Sequence, residues 1–292
     1  MRILITGARG QLGHALQQVL PDHQLTLLDI PDFDLTKPGV EASIAAPRPE
    51  VVIHAAAYTD VDGAEQEPDR VMAINAEGTE RVAKGAATAG ARLFYLSTDY
   101  VFDGRQGVPY RETDEPNPIN AYGRSKLEGE RRALTHCPNT LVIRTAWLYG
   151  AHGRNFVTTI MKLAREQQEL RVVSDQRGSP THAGDLAGAL ARLIELNTSN
   201  IEPRTLHLTG SGDCTWYEFA REIVSLMGSP VRVQPISTAE SKRAARRPLY
   251  AVLSNRVLAD AGISLPHWKD ALSRFLSQVK VEVEAGGRGV RG

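Results

Sequence analysis

The sequence has little of what marks several protein classes. Its 292 residues include two cysteines, Cys137 and Cys214, whose separation fits neither a zinc site nor a redox pair. Sparse cysteine suits a reducing compartment. No stretch approaches the roughly 18 apolar residues of a membrane span. The apolar run after Met1 is too short for a secretory signal peptide. Neither sign of charge is in excess, since 34 Lys and Arg balance 34 Asp and Glu. With no global field and no interleaving of basic and aromatic residues, a nucleic-acid partner is disfavoured. No internal repeat is present. These absences predict a cytoplasmic globular protein that binds neither membrane nor nucleic acid.

What is present is alternation. Short apolar runs at 2–6, 25–29, 51–54, 92–97, 140–144 and 171–173 read as six strands. Leu12, Ala15, Leu16, Val19 and Leu20 recur at helical spacing, and further helices are expected near 40–46, at 68–89 as one long element, at 122–134 and at 156–167. Strands alternating with helices pair in parallel through right-handed crossovers. The fold class predicted is α/β, a Rossmann-type doubly wound parallel sheet with a smaller C-terminal substrate-binding part. Residues 1–173 form the dinucleotide-binding domain in this reading, and 174–284 form mainly the substrate part, with segments returning to the first domain. That second stretch holds expected helices at 183–196, 216–227 and 268–279 and a strand at 205–208. The Gly- and Arg-rich end, 285–292, reads as a flexible tail. Ligands of such sheets lie beyond the carboxyl ends of the strands. The loops to search therefore follow Thr6, Asp29, His54, Ser97 and Arg144.

The first of those loops carries Gly7, Gly10 and Gly13 between a strand and a helix. Glycine lets the backbone approach a pyrophosphate, and the helix N-terminus offers unpaired N–H groups and partial positive charge. Gly7, Gly10, Gln11 and Leu12 are the cofactor contacts expected here. The Gly-x-x-Gly-x-x-Gly spacing resembles that of the extended short-chain dehydrogenase/reductases. Asp29 ends the second strand, where an acid bonds an adenosine ribose hydroxyl. Arg9 can instead offset a ribose 2′-phosphate, so NADH and NADPH both stay open. Ala55, Ala56 and Ala57 follow the third strand, and three small side chains leave room for the flat surface of the cofactor.

Thr98, Tyr122 and Lys126 carry the chemistry. Tyr122 and Lys126 stand at i and i+4 of a predicted helix and share one face. Thr98, with Ser97, ends the fourth strand. A hydroxyl, a phenol and an ammonium so placed make a ketone-reduction site. Hydride addition to a carbonyl carbon puts negative charge on its oxygen, and Tyr122 is the expected proton donor to it. A phenol with a pKa of about 10 is a sluggish acid–base group at neutral pH. Lys126 is expected to lower that pKa and to hold the nicotinamide ribose. Thr98 is expected to hydrogen-bond and polarise the substrate oxygen.

Residues 7–13, 54–62, Asn75-Ala76, 97–104, 120–129, 144–149 and 175–181 together resemble one family closely, the dTDP-4-dehydrorhamnose reductases. The block Ser97-Thr98-Asp99-Tyr100-Val101-Phe102-Asp103-Gly104 is the most specific of these. The resemblance implies NAD(P)H-dependent reduction of the 4-keto group of dTDP-4-dehydro-L-rhamnose to dTDP-L-rhamnose. It places Thr98 and Asp99 on the sugar, Tyr122 as acid with Lys126 as its partner, and Trp147 against the sugar ring. Asp34 and Leu35 fall on the adenine side, and Ala57, Tyr58 and Thr59 against the cofactor. Tyr100 and Phe102 are read as filling. Arg247, before Pro248 and within the cluster Lys242, Arg243, Arg246 and Arg247, is assigned to the diphosphate, which arginine binds bidentately. Ser254-Asn255-Arg256 resembles a further family segment. Some members bind magnesium between subunits through glutamates, one of them in the first helix. Ala15 stands at that place, so no metal is predicted, and a homodimer would rest on apolar surface that the sequence does not identify. Two alternatives stay open. One is a reductase or epimerase of another nucleotide sugar. The other is a non-catalytic nucleotide-binding regulatory subunit of the methionine adenosyltransferase type.

Overall fold

The computed structural model describes residues 1–196 and 203–286, with side chains up to residue 279. The chain opens with β1 (Arg2–Thr6), α1 (Gln11–Val19), β2 (Gln24–Leu28), α2 (Val40–Ala45) and β3 (Val51–His54). Helices α3 (Val61–Gln66) and α4 (Pro68–Met72) lead through a π-helical turn, Ala73–Gly78, into α5 (Thr79–Ala89). Next come β4 (Arg92–Thr98), a 3-10 turn at Asp99–Val101, α6 (Ala121–His136), β5 (Thr140–Thr145), β6 (Leu148–Tyr149), α7 (Phe156–Glu166) and β7 (Glu169–Val173). The remainder is β8 (Arg177–Gly178), β9 (Thr181–His182), α8 (Ala183–Glu195), β10 (Thr205–His207), β11 (Cys214–Thr215), α9 (Trp216–Met227), β12 (Arg232–Ile236), α10 (Thr238–Ser241), α11 (Arg256–Asp260) and α12 (Trp268–Gly286). Of the expected tail, residues 287–292 lie outside the described residues.

Six parallel strands form the central sheet in the order β10-β5-β4-β3-β1-β2. The strand order reverses between β1 and β3. Strands buried on both faces read as continuous apolar runs, and β3 is buried at every position. Alternation along β1 then feeds two cores. Ile3 and Ile5 join Leu12, Leu16, Leu186, Leu190 and Leu193 on one face. Leu4 joins Val40, Ile44, Val82 and Ala86 on the other. A third cluster, including Val157, Leu170, Phe219, Trp268 and Phe275, sits under α7, α9 and α12. The doubly wound Rossmann-type sheet expected from the sequence is the one observed.

Two local expectations are corrected. The helix expected at 68–89 is interrupted by the π turn, which surrounds the buried Asn75. Such turns insert one residue into the helical ladder and redirect a side chain. The strand at 171–173 is not part of the central sheet. As β7 it pairs in parallel with β12, in a separate two-stranded sheet. Its alternating burial suits a sheet covered on one face. The sixth central strand is β10, whose Thr205 lies opposite Val142 of β5. No helix among the described residues is long and apolar enough to cross a membrane.

Candidate active site

The carboxyl ends of β1 to β5 bring the candidate residues to one edge of the sheet. Gly7 turns the chain out of β1 at φ +71°, a conformation that side chains disfavour. A Cβ there would stand 2.7 Å from the Ala56 nitrogen, so the β1 loop and the loop after β3 lie backbone to backbone. A Cβ on Gly13 would collide with the Gly7 carbonyl, which packs α1 tightly against its own entry loop. Gly10 precedes α1 without a side-chain cap, leaving the first N–H groups of the helix to an outside acceptor. A backbone cradle that side chains would fill, set at an uncapped helix start, fits a dinucleotide pyrophosphate. Leu12 is buried in the core, and the Gln11 side chain accepts a 3.0 Å bond from Asn155, the N-cap of α7.

On the adenosine side, Asp29 accepts the Arg9 and Ile30 backbone N–H groups at 2.7 and 2.8 Å. The Arg9 guanidinium is exposed, donating to the Ile30 carbonyl and the Asp32 carboxylate. Asp34 accepts the Thr36 N–H and hydroxyl, and these bonds hold its carboxyl below the usual range. Leu35 is a core residue, with Gly78 of the π turn packed against it. Ala55, Ala56, Ala57 and Tyr58 are half-buried and Thr59 is exposed. Asn75 fixes this loop: its Oδ1 accepts the Tyr58 N–H at 2.8 Å, and its Nδ2 donates to the Tyr58 carbonyl and to Ser125 of α6.

Thr98 ends β4, and its hydroxyl donates to Asp99 at 2.9 Å and accepts the Tyr100 N–H at 3.2 Å, near enough to the Tyr122 phenol to weigh on its proton. Asp99 is buried, with Oδ2 unpartnered, and desolvation pushes its carboxyl up to about 7. Asn120 caps α6 by accepting the Gly123 N–H, so Tyr122 sits in the first turn of that helix. Gly123 permits this approach, because a Cβ there would strike the Tyr100 carbonyl. Burial raises the Tyr122 phenol above its ordinary value, Asp99 and Tyr100 add to the rise, and Thr98 opposes it. Lys126 follows one turn later. Its ammonium donates to the Leu96 carbonyl at 2.7 Å and lies 4.1 Å from the Tyr95 ring centre. Desolvation pulls it down to about 7. The phenol is thus raised by burial, whereas the sequence reading has Lys126 lowering it. A buried ammonium needs an acceptor, and Leu96 supplies one.

Trp147 follows β5 at φ +46°, a rare conformation for a bulky residue and a sign of local strain. Its indole stacks on Trp216 at 3.4 Å and abuts Gly178, where a Cβ would collide with the ring. Arg247 does not stand alone. It grips Asp62 through both terminal nitrogens at 3.0 and 2.9 Å, and Arg243 and the Ala245 N–H also bond that carboxylate. Asp62 is held well below the usual range, first by Arg247. The loop at 242–248 is thereby pinned to α3, next to the loop that carries residues 55–59.

A family model described as the RmlD substrate binding domain matches residues 1–281. A dTDP-4-dehydrorhamnose reductase of Sinorhizobium fredii is 40% identical over 97% of this chain and 99% of its own. The chain belongs to the dTDP-4-dehydrorhamnose reductase family. The family's structure from Bacillus anthracis, a crystal structure in complex with NADP, is 41% identical. It superposes with a TM-score of 0.90 over 95% of this chain and 99% of that one. Within the same range, a protein of Streptomyces antibioticus is named a probable dTDP-4,6-dihydroxy-2-methyloxan-3-one 4-ketoreductase. It is 40% identical over 93% of each chain. The sequence reading named Thr98, Tyr122, Lys126 and Trp147 but gave no role to Asp62, Gly178 or Trp216, which the structure places against Arg247 and Trp147. Their partners are distant in sequence, and no local spacing signals them.

Proposed function

We propose that this protein reduces the 4-keto group of dTDP-4-dehydro-L-rhamnose to give dTDP-L-rhamnose, with NADPH as reductant. The observation that carries this reading is the convergence of Thr98, Asp99, Tyr122 and Lys126 at the end of β4, beside the Gly7–Gly13 cradle. The NADP bound to the Bacillus anthracis relative and the exposed Arg9 guanidinium support the phosphorylated cofactor.

Gly7, Gly10, Gln11 and Leu12 would hold the pyrophosphate, Asp29, Asp34 and Leu35 the adenosine side, and residues 55–59 the nicotinamide half. When bound, the cofactor supplies hydride to the carbonyl carbon. Charge then develops on the sugar O4, and Tyr122 transfers its proton to that oxygen. A phenol raised by burial stays protonated at neutral pH, which suits a donor in the reducing direction. Thr98 turns its hydroxyl from Asp99 to the same oxygen and stabilises the charge. Lys126, one helical turn away, favours the phenolate left behind when the lysine carries its proton. Trp147, braced by Trp216, packs on the sugar ring. Arg247 shapes the diphosphate loop through Asp62, and the exposed Lys242 and Arg246 add positive charge there.

Purified protein given dTDP-4-dehydro-L-rhamnose and NADPH should consume the reduced nicotinamide and yield dTDP-L-rhamnose by mass and NMR. Consumption that does not depend on the sugar, or a different product, would sink the reading. The Streptomyces relative favours one competitor, reduction of another dTDP-linked keto sugar. A panel of such sugars, ranked by kcat/KM, separates the two.

A further inference from the structure

The end of β4 meets α6 in three polar rungs. Thr98 lies near the Tyr122 phenol, the Leu96 carbonyl accepts from Lys126, and the Ser97 hydroxyl donates to Glu130 Oε1 at 2.5 Å. Tyr122, Lys126 and Glu130 occupy successive i, i+4 positions on one helical face. The first two belong to the proposed chemistry, and the third has no role in it. Yet Glu130 is only 3% exposed, and Arg144 of β5 grips it through Nε at 2.9 Å and Nη2 at 2.7 Å. A buried ion pair of this kind is costly to desolvate and contributes little net stability against a well-packed apolar pair. Its presence one turn from a catalytic ammonium calls for another explanation.

We infer that Glu130, held in place by Ser97 and Arg144, is a positioning residue whose carboxylate keeps the buried Lys126 ammonium charged. The inference rests on the reductase reading for its kinetic consequence, though not for its electrostatics. Lys126 is 2% exposed. The titratable and charged groups around it are His54 of β3, Tyr95 of β4, Tyr122 and Glu130 of α6, and Arg144 of β5, which is bound to Glu130. His54 is buried between Thr6 and Thr79, and burial holds it neutral, down to about 3. Tyr95 is buried and keeps its proton. Among these groups Glu130 supplies the carboxylate, paired with Arg144. Desolvation drags Lys126 down, and Glu130 pulls the other way. Ser97 and Arg144 occupy the carboxylate oxygens, so Glu130 acts on Lys126 through the field and leaves the ammonium to Leu96 and to the site.

If turnover needs charged Lys126, activity falls as pH rises through the Lys126 titration. Glu130→Gln keeps the shape of the side chain and removes its charge. The Lys126 ammonium, followed by 15N-lysine NMR and assigned with Lys126→Arg, should then titrate at least about one pH unit lower. The alkaline fall of kcat should move down with it. At pH well above the wild-type Lys126 titration kcat should drop about tenfold, the equivalent of one pH unit, and recover on acidification, with KM for the sugar unchanged. Glu130→Gln leaves Arg144 buried without its partner, so Glu130→Gln/Arg144→Met removes both charges. Thermal unfolding and NADPH binding establish that this second variant is folded, and it should show a downward shift smaller than that of Glu130→Gln alone, because the repulsion from Arg144 is removed as well. An unshifted Lys126 titration in the folded variants overturns the proposal and leaves Glu130 a structural residue. The titration is read without substrate, so it decides the role of Glu130 even if the wild type fails to reduce the sugar, a failure that would sink the reductase reading alone.

Discussion

Burial keeps the Tyr122 phenol above its ordinary pKa, and the Asp99 and Tyr100 side chains push the same way. Tyr122→Phe removes the proton and keeps the ring that fills this space. A lost general acid costs about 10²- to 10⁴-fold. Turnover should fall by that much with NADPH affinity unchanged, as read by initial rates and by fluorescence titration. Undiminished turnover would mean that another group supplies the proton. Gly178 permits a different test. The Trp147 indole lies between Gly178 and Trp216, and its backbone is already in a disfavoured conformation, so it has little room to retreat. Gly178→Ala puts a methyl group against the indole and displaces the proposed sugar wall. KM for the sugar should rise about tenfold, a loss of roughly 1.4 kcal/mol, while KM for NADPH holds. A rise in both would place Trp147 in general packing.

Between elements, the Asp62 carboxylate joins α3 to the loop at 242–248 through Arg247, Arg243 and the Ala245 N–H. Hydrogen bonds to a charged group contribute about 1.5–3 kcal/mol each when well buried. Asp62 and Arg247 are only partly exposed, 24% and 14%, so Asp62→Asn should cost about 1–2 kcal/mol and a few degrees in Tm. The Asp62 pKa is depressed in the folded state, so its contribution is present above the unfolded carboxyl pKa and is lost as pH falls. Denaturant unfolding should therefore show a gap between wild type and variant at pH about 7 that begins to close below pH about 4. A gap that does not change with pH would assign the loss to packing. This tether also marks where sequence reading ends. The glycines of the first loop and the Tyr122–Lys126 pair were legible because their geometry is local: one turn of loop, one turn of helix. The grip on Asp62 removes Arg247 from a purely phosphate-facing role, and nothing near either residue announces it. The π turn was hidden for a related reason. Ala73–Gly78 carries helical residues, and only the bonds from Asn75 to Tyr58 and Ser125 show why the helix is locally rewound there.

At the scale of the whole molecule, the alternation of strands and helices was enough to give a parallel doubly wound sheet, because both faces of every inner strand need cover. Which strand closes the sheet was not legible. Thr205–His207 is too short to show a period, and its place is set by register with Val142–Arg144 far earlier in the chain. The core depends on such late segments. Leu186, Leu190 and Leu193 of α8, Leu206 and Leu208 around β10, and Leu258, Ile263 and Leu265 near α11 are all buried in the cluster that holds Ile3, Ile5 and Leu16. A fragment ending at residue 173 contains every cofactor contact proposed above, yet it uncovers the part of one sheet face that α8 shares with α1, and the free edge of β5. An exposed apolar face of that size does not stay folded in water. The fragment 1–173 should therefore bind a hydrophobic dye, unfold without a cooperative transition and fail to bind NADPH, whereas the fragment 1–286 should match the full chain in all three respects. A cooperative transition with NADPH binding in 1–173 would show instead that the first half of the sheet is self-sufficient and that α8 and β10 only dock onto it.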